Sequence, residues 1–177
     1  MPKTFPKRPL GVRLEDHPML SYVARHEPEA ANQTYGAGSP VIFNAGFIEE
    51  AANPATAVLG FAIEAGHNRP AGQALAKFLP AIDGLIFYGN LLGGIAADRL
   101  LVATDLGASY RLAKSASLLG PGKPGWYIEA TGTTTACKVV SFRADLTVPN
   151  EINDRAEVGD TNPRVGAIVL DSVRQWK

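Results

Sequence analysis

The second half of the chain alternates short apolar segments with turn residues at nearly regular spacing. The segments in order are Leu85–Asn90, Thr104–Tyr110, Gly125–Glu129, Cys137–Phe142, Val158–Thr161 and Arg164–Leu170. Short strands at such spacing, with turn signals between them, are typical of a small β-barrel or sandwich. The pattern therefore predicts an all-β fold with little helix.

The β pattern begins near Gly38. Pro40–Asn44 predicts a strand that starts at a proline, where a missing N–H costs least. Val58–Ala65 predicts another strand, in which Gly60 marks a bulge or a close backbone approach. The segment 71–79 fits a short helix or a strand, and we favour a strand. We expect one β domain over residues 37–177.

Residues 1–36 differ from the rest because prolines recur there without a helix or strand period. Proline fixes φ and removes a donor, so an extended conformation is expected. The segment is either a disordered tail or an N-terminal arm that orders on a neighbouring subunit. Scattered apolar residues favour the arm, because a solvated tail does not need them. The predicted subunit contacts are Phe5, Leu10, Val12, Leu14, Leu20 and Tyr22. On this hypothesis, deleting residues 1–20 leaves the barrel folded but weakens attachment to the other subunits of a trimer or to a larger shell.

The charges balance, with 17 basic and 17 acidic residues. A neutral chain has no global field that attracts nucleic acid or a membrane surface. No apolar run reaches the roughly 18 residues that suggest a membrane helix. The first residues carry no apolar stretch behind their charges, so no signal peptide is expected. We therefore expect a soluble chain made in the cytoplasm, with neither nucleic acid nor membrane as partner.

No motif for catalysis or for a cofactor is apparent. Residues 120–125 resemble a phosphate loop, but Pro124 follows the lysine and supplies no N–H. The three histidines are far apart and no Cys-x-x-Cys pair exists, so no metal site is expected. Cys137 lies in an apolar-alternating run, which favours a buried, inert thiol.

The acidic residues fit structural roles better than catalytic ones. Glu49 and Glu50 are adjacent in a predicted strand, so their side chains point to opposite faces and cannot share one site. Asp105 and Asp160 adjoin glycine-containing turns, where such side chains accept hydrogen bonds from local backbone N–H groups. We therefore expect a protein that is not an enzyme.

Aromatic residues are placed in several of the predicted strands. They could form a stacking platform for bases or sugars, but basic residues are diluted by acids, so core packing is favoured. Phe87, Tyr110 and Val140 are expected in the core. Trp126 and Tyr127 are adjacent, so one ring lies on each face of the strand, and Trp126 is a further candidate anchor at a subunit interface.

The order of the segments resembles the head decoration, or capsid cement, proteins of tailed bacteriophages. The resemblance covers about residues 38–170, and the order of the motifs carries it more than any one motif. The matching motifs are Gly38-Ser39-Pro40-Val41, Gly60-Phe61-Ala62, Phe87-Tyr88-Gly89-Asn90-Leu91, Asp105-Leu106-Gly107-Ala108-Ser109-Tyr110-Arg111-Leu112, Trp126-Tyr127-Ile128, Val139-Val140 and Val158-Gly159-Asp160-Thr161-Asn162-Pro163-Arg164-Val165.

The resemblance implies a β-barrel or β-tulip-like protein without catalytic residues. It implies docking on the outer capsid surface through the major capsid protein, often as a homotrimer, and hence a location on the virion exterior. Many copies make modest contacts count, and an arm added to a neighbouring sheet would link subunits.

Two other functions remain open at this stage. A surface-displayed carbohydrate-binding or adhesive β module would use Trp126, Tyr127 and the Thr-rich turn at residues 131–134, which makes a glycan a possible partner. A small hydrolase without a recognised motif is the third possibility, with Asp105 or Asp160 as its candidate residues.

Overall fold

The computed structural model describes residues 2–12, 24–142 and 156–175. Within these ranges it has eleven β-strands and two 3-10 turns, Gly94–Ala96 and Ala103–Asp105. The strands are β1 (Gly11–Val12), β2 (Arg25–Pro28), β3 (Pro40–Asn44), β4 (Phe47–Glu50), β5 (Gly60–Ala62), β6 (Leu75–Pro80), β7 (Phe87–Leu92), β8 (Ser109–Ser115), β9 (Gly125–Glu129), β10 (Cys137–Ser141) and β11 (Arg164–Val169). The prediction of an all-β fold with a small barrel is confirmed.

Five strands form a closed barrel in the order β7-β11-β10-β8-β9. Closure comes from a parallel pairing of β9 with β7, in which Leu91 lies opposite Ile128. The other pairings in the barrel are antiparallel. Closure removes the free edges that a sheet of this size would otherwise expose. Strand β1 adds to the outside of this sheet along β7.

The burial of the barrel strands follows from their sequence patterns. In β10, Cys137 and Val139 are buried while Lys138 and Val140 are exposed, which is the period of two expected for a strand with one wet face. Strand β7 is buried at all of its positions. Burial at every position of a largely apolar strand is typical of a strand covered on both faces.

The second sheet has the order β2-β6-β5-β3-β4. Its two outer strands approach each other where Ile48 pairs with Glu29. Two adjacent residues of β5 pack into two different hydrophobic cores. Phe61, opposite Leu79, belongs to the barrel core, whereas Ala62, opposite Phe78, belongs to a smaller cluster within this sheet. The rings of Phe61 and Phe87 join the sheet to the barrel, with centroids 4.6 Å apart.

Three side chains were predicted in the core, with different outcomes. Phe87 is fully buried, as predicted. Tyr110 is partly buried and packs against the barrel core. The prediction for Val140 is wrong, since its side chain is 37% exposed. Strand β10 places Val139 inward, and the period of two therefore turns Val140 outward.

Residues 1–36 contribute two strands to the described structure. Strand β1 pairs with β7 of the barrel, and β2 pairs with β6 of the second sheet. Residues 13–23 lie outside the described ranges. Segment 71–79, for which a strand was favoured, contains most of β6.

Candidate functional site

Residues 3–9 are fixed to one end of the barrel, chiefly by hydrogen bonds to their backbone. The Lys3 N–H donates to Asp160 Oδ1 at 2.6 Å. The Phe5 N–H donates to the Thr161 carbonyl at 2.9 Å, and the Thr161 N–H donates to the Lys3 carbonyl at 2.8 Å. Asp160 is buried and also accepts a bond from the Glu157 N–H at 2.7 Å, so the prediction that it caps local backbone is confirmed.

Asn90 extends this attachment from inside strand β7. Its side chain is fully buried, accepts from the Arg8 N–H at 2.9 Å and donates to the Pro6 carbonyl at 3.1 Å. Arg164 Nη1 donates to the Pro9 carbonyl at 3.0 Å. A buried amide in an otherwise apolar strand is costly unless hydrogen-bonded, and the N-terminal backbone supplies the partners here.

Leu10 then inserts between two glycines. A Cβ at Gly38 would lie 1.8 Å from the Leu10 carbonyl oxygen, and a Cβ at Gly89 would lie 2.4 Å from Leu10 Cδ2. A side chain at Gly38 would displace the backbone of the segment, whereas one at Gly89 would displace the end of the Leu10 side chain. Leu10 is 4% exposed and belongs to the barrel core, which places residues 3–12 as an integral part of this chain's own barrel.

Next to this attachment a buried carboxylate orders an exposed loop. Asp105 accepts bonds from Arg99 Nη2 at 2.7 Å and from the Tyr110 hydroxyl at 2.5 Å. It also accepts from the Val102 N–H at 2.9 Å, so its predicted capping role is confirmed. Burial alone would raise the pKa of the Asp105 carboxyl, but these bonds outweigh burial and lower that pKa below 3.8. Burial and Asp105 together raise the pKa of Tyr110 to about 12.

The loop ordered by Asp105 and the adjoining residue Val158 carry an exposed apolar surface, which we call the rim. Its members are Leu100, Val102, Leu106 and Val158, exposed by 56%, 42%, 53% and 61%. Residues 99–101 pair with residues 160–162, and the Gly159 N–H donates to the Leu101 carbonyl at 2.8 Å. Since Leu101 is buried, strand alternation turns its two neighbours outward. Two adjoining segments, whose backbones are fixed by these hydrogen bonds, thus hold the side chains of the rim at the surface.

Another exposed apolar residue, outside the rim, is Ile95, which we call the knob. It is 95% exposed. Its φ is 56° and that of Ala96 is also 56°, both in the left-handed region. A β-branched residue there is a true outlier, which surrounding contacts must hold in place.

The contacts beneath the knob are specific. The Ala96 N–H donates to the Tyr127 hydroxyl at 3.0 Å, and Lys7 Nζ donates to the Ala96 carbonyl at 2.8 Å. The buried Glu129 carboxylate accepts from Arg111 Nε at 2.5 Å, and the nearby Ile95 backbone helps to lower its pKa.

The charge on Glu129 is stabilised by its partners. The Thr131 hydroxyl donates to Glu129 Oε1 at 3.1 Å. Burial would raise the pKa of this carboxyl, but the bonds from Arg111 and Thr131 outweigh burial and lower that pKa below 4.5.

The predicted interface residues occupy three kinds of position. Phe5, Leu10 and Trp126 are buried within this chain, with exposures of 8%, 4% and 2%. Val12 is half-buried against the barrel core. Leu14, Leu20 and Tyr22 lie outside the described residues. Their role as subunit contacts stays a prediction.

The aromatic pair is placed inside the molecule. Trp126 Nε1 donates to Glu50 Oε1 at 2.7 Å, and the Tyr127 ring is 2% exposed beneath the knob. Glu49 bonds instead to the exposed Asn44, consistent with the expectation that the two glutamates point apart. Cys137 is fully buried, and burial raises the pKa of its thiol to about 12.

Sequence reasoning missed Asn90, Arg99, Glu129, Arg164 and the knob. Asn90 could have been found, because a single amide within an apolar strand run requires a buried partner. Glu129 gave a similar signal at the end of Trp126-Tyr127-Ile128. Ile95 gave none, since left-handed backbone is not expected of a β-branched residue.

No three His, Cys, Asp or Glu side chains of residues 2–12, 24–142 and 156–175 come together as a metal site. Over the same residues no helix has the length and apolar character to cross a membrane. No protein-family model, no curated protein and no solved structure matches the chain.

Proposed function

We propose that this chain is a capsid decoration protein of the tailed-bacteriophage kind, which docks on the outer surface of a phage shell and stabilises it. The observation that carries the proposal is the rim. Exposed apolar side chains on hydrogen-bonded backbone are typical of a surface that binds another protein. The proposed partner is the major capsid protein, and the proposed location is the virion exterior after synthesis in the host cytoplasm.

The positions of three motif residues in the fold support the proposal. The motif residues Asn90, Asp105 and Asp160 lie far apart in sequence, yet each takes part in fixing the N-terminal segment or the rim loops. Three of the motifs that carry the resemblance thus have a shared physical use. They shape one end of a small barrel into an ordered surface.

The working assembly we propose is a homotrimer. A shell offers many equivalent sites, so modest contacts repeated over many copies add up to firm attachment. A trimer would present three rims at once. The carbohydrate-binding alternative is not advanced, because the rings of Trp126 and Tyr127 that motivated it are each 2% exposed and cannot stack on a sugar.

Co-sedimentation with capsids tests the proposal. The shells are those of the phage that encodes the chain, prepared without the protein. We expect the wild type to sediment with the shells and to raise their temperature of rupture. The double variant Leu100→Ser, Leu106→Ser removes apolar contact area from the rim and should bind at least tenfold more weakly.

The matched control is Val140→Thr, an exposed change of similar size outside the rim. It should bind like the wild type. Failure of the wild type to sediment with the shells would refute the proposed function. Equal binding by the double variant would refute the assignment of the rim.

A further inference from the structure

A cleft lies where the N-terminal segment, the second sheet and strand β11 meet. Residues 8–12 line it from the N-terminal segment, Phe61 and Ala62 line it from β5, and Arg164 lines it from β11. Its volume is about 440 Å³. Sites for small molecules have volumes of roughly 300–1,000 Å³ and occur preferentially where structural units meet. The size and the position of the cleft therefore fit a small ligand.

Most of the lining of the cleft is apolar. The buried side chains of Leu10, Phe61 and Leu79 form its inner wall. Val12 is half-buried and Ile63 is 37% exposed, so these two side chains lie toward the opening. Water gains little from such a wall, and an apolar group that replaces the water is favoured by the area it buries. The ligand should therefore have an apolar body.

The charge of the cleft has one sign. Among the described residues that line it, Arg8 and Arg164 are cationic and none is acidic. Arg164 Nη1 donates to the Pro9 carbonyl, so this side chain fixes the N-terminal segment.

Arg8 is placed differently. Its backbone N–H donates to Asn90 Oδ1 at 2.9 Å, which fixes the residue beside the cleft, and its side chain is half-buried. Within the described residues, the Arg8 guanidinium has neither a hydrogen bond nor an ion pair. A cation beside an apolar wall, without an acid of its own, is complementary to an anionic group of a ligand.

We propose that the cleft binds an amphiphilic carboxylate, such as a fatty acid with a short chain. Its carboxylate would pair with the Arg8 guanidinium, whose planar fork matches a carboxylate with two parallel hydrogen bonds. Its apolar chain would lie against Phe61, Ile63 and Leu79. A phosphate fits less well, because the apolar lining would leave its further oxygens without side-chain donors. The cleft shares no residue with the rim, so this binding is a property beyond the proposed docking on a shell.

Calorimetric titration of the full-length protein tests the proposal with three probes: octanoate, 1-octanol and acetate. Octanoate has both the chain and the charge, 1-octanol lacks the charge, and acetate lacks the chain. We expect saturable one-to-one binding of octanoate. Binding of 1-octanol and of acetate should each be at least tenfold weaker, because each probe lacks one of the two contacts.

The variant Arg8→Met removes the charge and keeps an apolar stem and the backbone N–H that Asn90 accepts. It should bind octanoate about tenfold more weakly and bind 1-octanol as the wild type does. A merely structural role of Arg8 would change the binding of both probes alike. The matched control is Arg69→Met, the same change at an exposed residue that does not line the cleft, and it should bind octanoate like the wild type.

A second variant, Ile63→Glu, places a carboxylate at the opening of the cleft and should also weaken the binding of octanoate. Because Ile63 is partly exposed, the fold should tolerate the change, and circular dichroism checks both variants. If Arg8→Met is unfolded, Ile63→Glu decides the question.

Three results would overturn the inference. The first is no saturable binding of octanoate by the wild type, as expected if another protein fills the cleft. The second is binding of 1-octanol as tight as that of octanoate, and the third is unchanged binding of octanoate by a folded Arg8→Met or Ile63→Glu. Since no capsid enters the experiment, none of these results bears on docking through the rim.

Discussion

The rim and the knob are built on the same arrangement of side chains. In each, a buried carboxylate accepts hydrogen bonds from an arginine and from a hydroxyl, and lies beside the backbone of an exposed apolar residue. The two sets are Asp105 with Arg99, Tyr110 and Val102, and Glu129 with Arg111, Thr131 and Ile95. Asp105 fixes the Val102 backbone by a hydrogen bond, and Glu129 lies beneath the Ile95 backbone.

The two surfaces differ in the backbone that is held. Val102 is extended, with φ of −120°, whereas Ile95 has φ of 56°. Left-handed backbone costs an L-residue roughly 1–2 kcal/mol. The carboxylate therefore adds order to a relaxed loop in the rim, but opposes strain beneath the knob. The comparison teaches that exposure alone does not distinguish a tolerated apolar residue from one displayed under strain.

Truncation of residues 1–12 should disable both surfaces at once and has the largest expected effect. Lys3 bonds to Asp160 beside the rim, and Lys7 bonds to the Ala96 carbonyl beneath the knob. The truncation also removes Phe5 and Leu10, whose burial is worth about 2 kcal/mol each or more. Thermal unfolding followed by circular dichroism should show a large loss of stability, contrary to the expectation that the arm is dispensable for folding. An unchanged melting temperature would contradict this account of the N-terminal segment.

Substitution of the two carboxylates comes next in size. Asp105→Asn leaves Arg99 without its charged partner, and breaking such a pair should cost about 3 kcal/mol. Glu129→Gln should cost less in global stability, because relaxation of the Ile95 backbone returns part of the loss. Urea denaturation of both variants measures the difference. A larger loss of unfolding free energy for Glu129→Gln than for Asp105→Asn would contradict this expectation.

The loss of stability in acid should depend on the same two carboxyl groups, those of Asp105 and Glu129. The pKa values of Asp105 and Glu129 lie below 3.8 and 4.5 in the folded protein, so folded protein binds these protons less readily than unfolded chain. Their stabilising effect is complete above those ordinary values and is lost as pH falls through the lowered ones. Unfolding free energy should therefore be flat from neutral pH to about 5 and fall below that.

The variant Asp105→Asn is the control for that pH dependence. It should show a smaller fall between pH 5 and 3, since one of the responsible groups no longer titrates. If it shows the same slope as the wild type, Asp105 does not carry the dependence assigned to it.

The smallest expected effect comes from the substitution that compares the Ile95 and Val102 backbones most directly. Asparagine tolerates left-handed backbone and β-branched isoleucine does not, so Ile95→Asn should stabilise the protein by about 1 kcal/mol. The same change at the extended Val102 should be neutral or slightly destabilising. Differential scanning calorimetry would measure both shifts. Shifts of equal sign would mean that the Ile95 backbone carries no strain.

The barrel could be predicted from the sequence because its strands alternate locally. The period of two in β10 and the apolar run of β7 are properties of adjacent residues, and the pairing of both with β11 closes most of the sheet. The error at Val140 has the same origin. The alternation in β10 shows that Val139 and Val140 face opposite sides, but without the strand register the sequence does not show which of the two sides is the core.

The hydrogen bonds that fix the N-terminal segment to the barrel could not be predicted, because the residues that form them are distant in sequence and meet only in the folded protein. Asn90 is 82 residues from Arg8, and Asp160 is 157 residues from Lys3. Side-chain bonds to distant backbone leave no periodic signal. The apolar character of Phe5 and Leu10 did indicate that the segment binds something, and the structure places both side chains in the barrel core of the same chain.

The central claim is that a buried carboxylate orders the rim so that it can bind a shell. Capsid binding by Asp105→Asn, measured by co-sedimentation at a temperature where the variant is folded, tests that claim most directly. The variant keeps every apolar side chain of the rim and loses the carboxylate that orders its loop, so the account predicts weaker binding, as for Leu100→Ser, Leu106→Ser. Binding of Asp105→Asn equal to that of the wild type would contradict it.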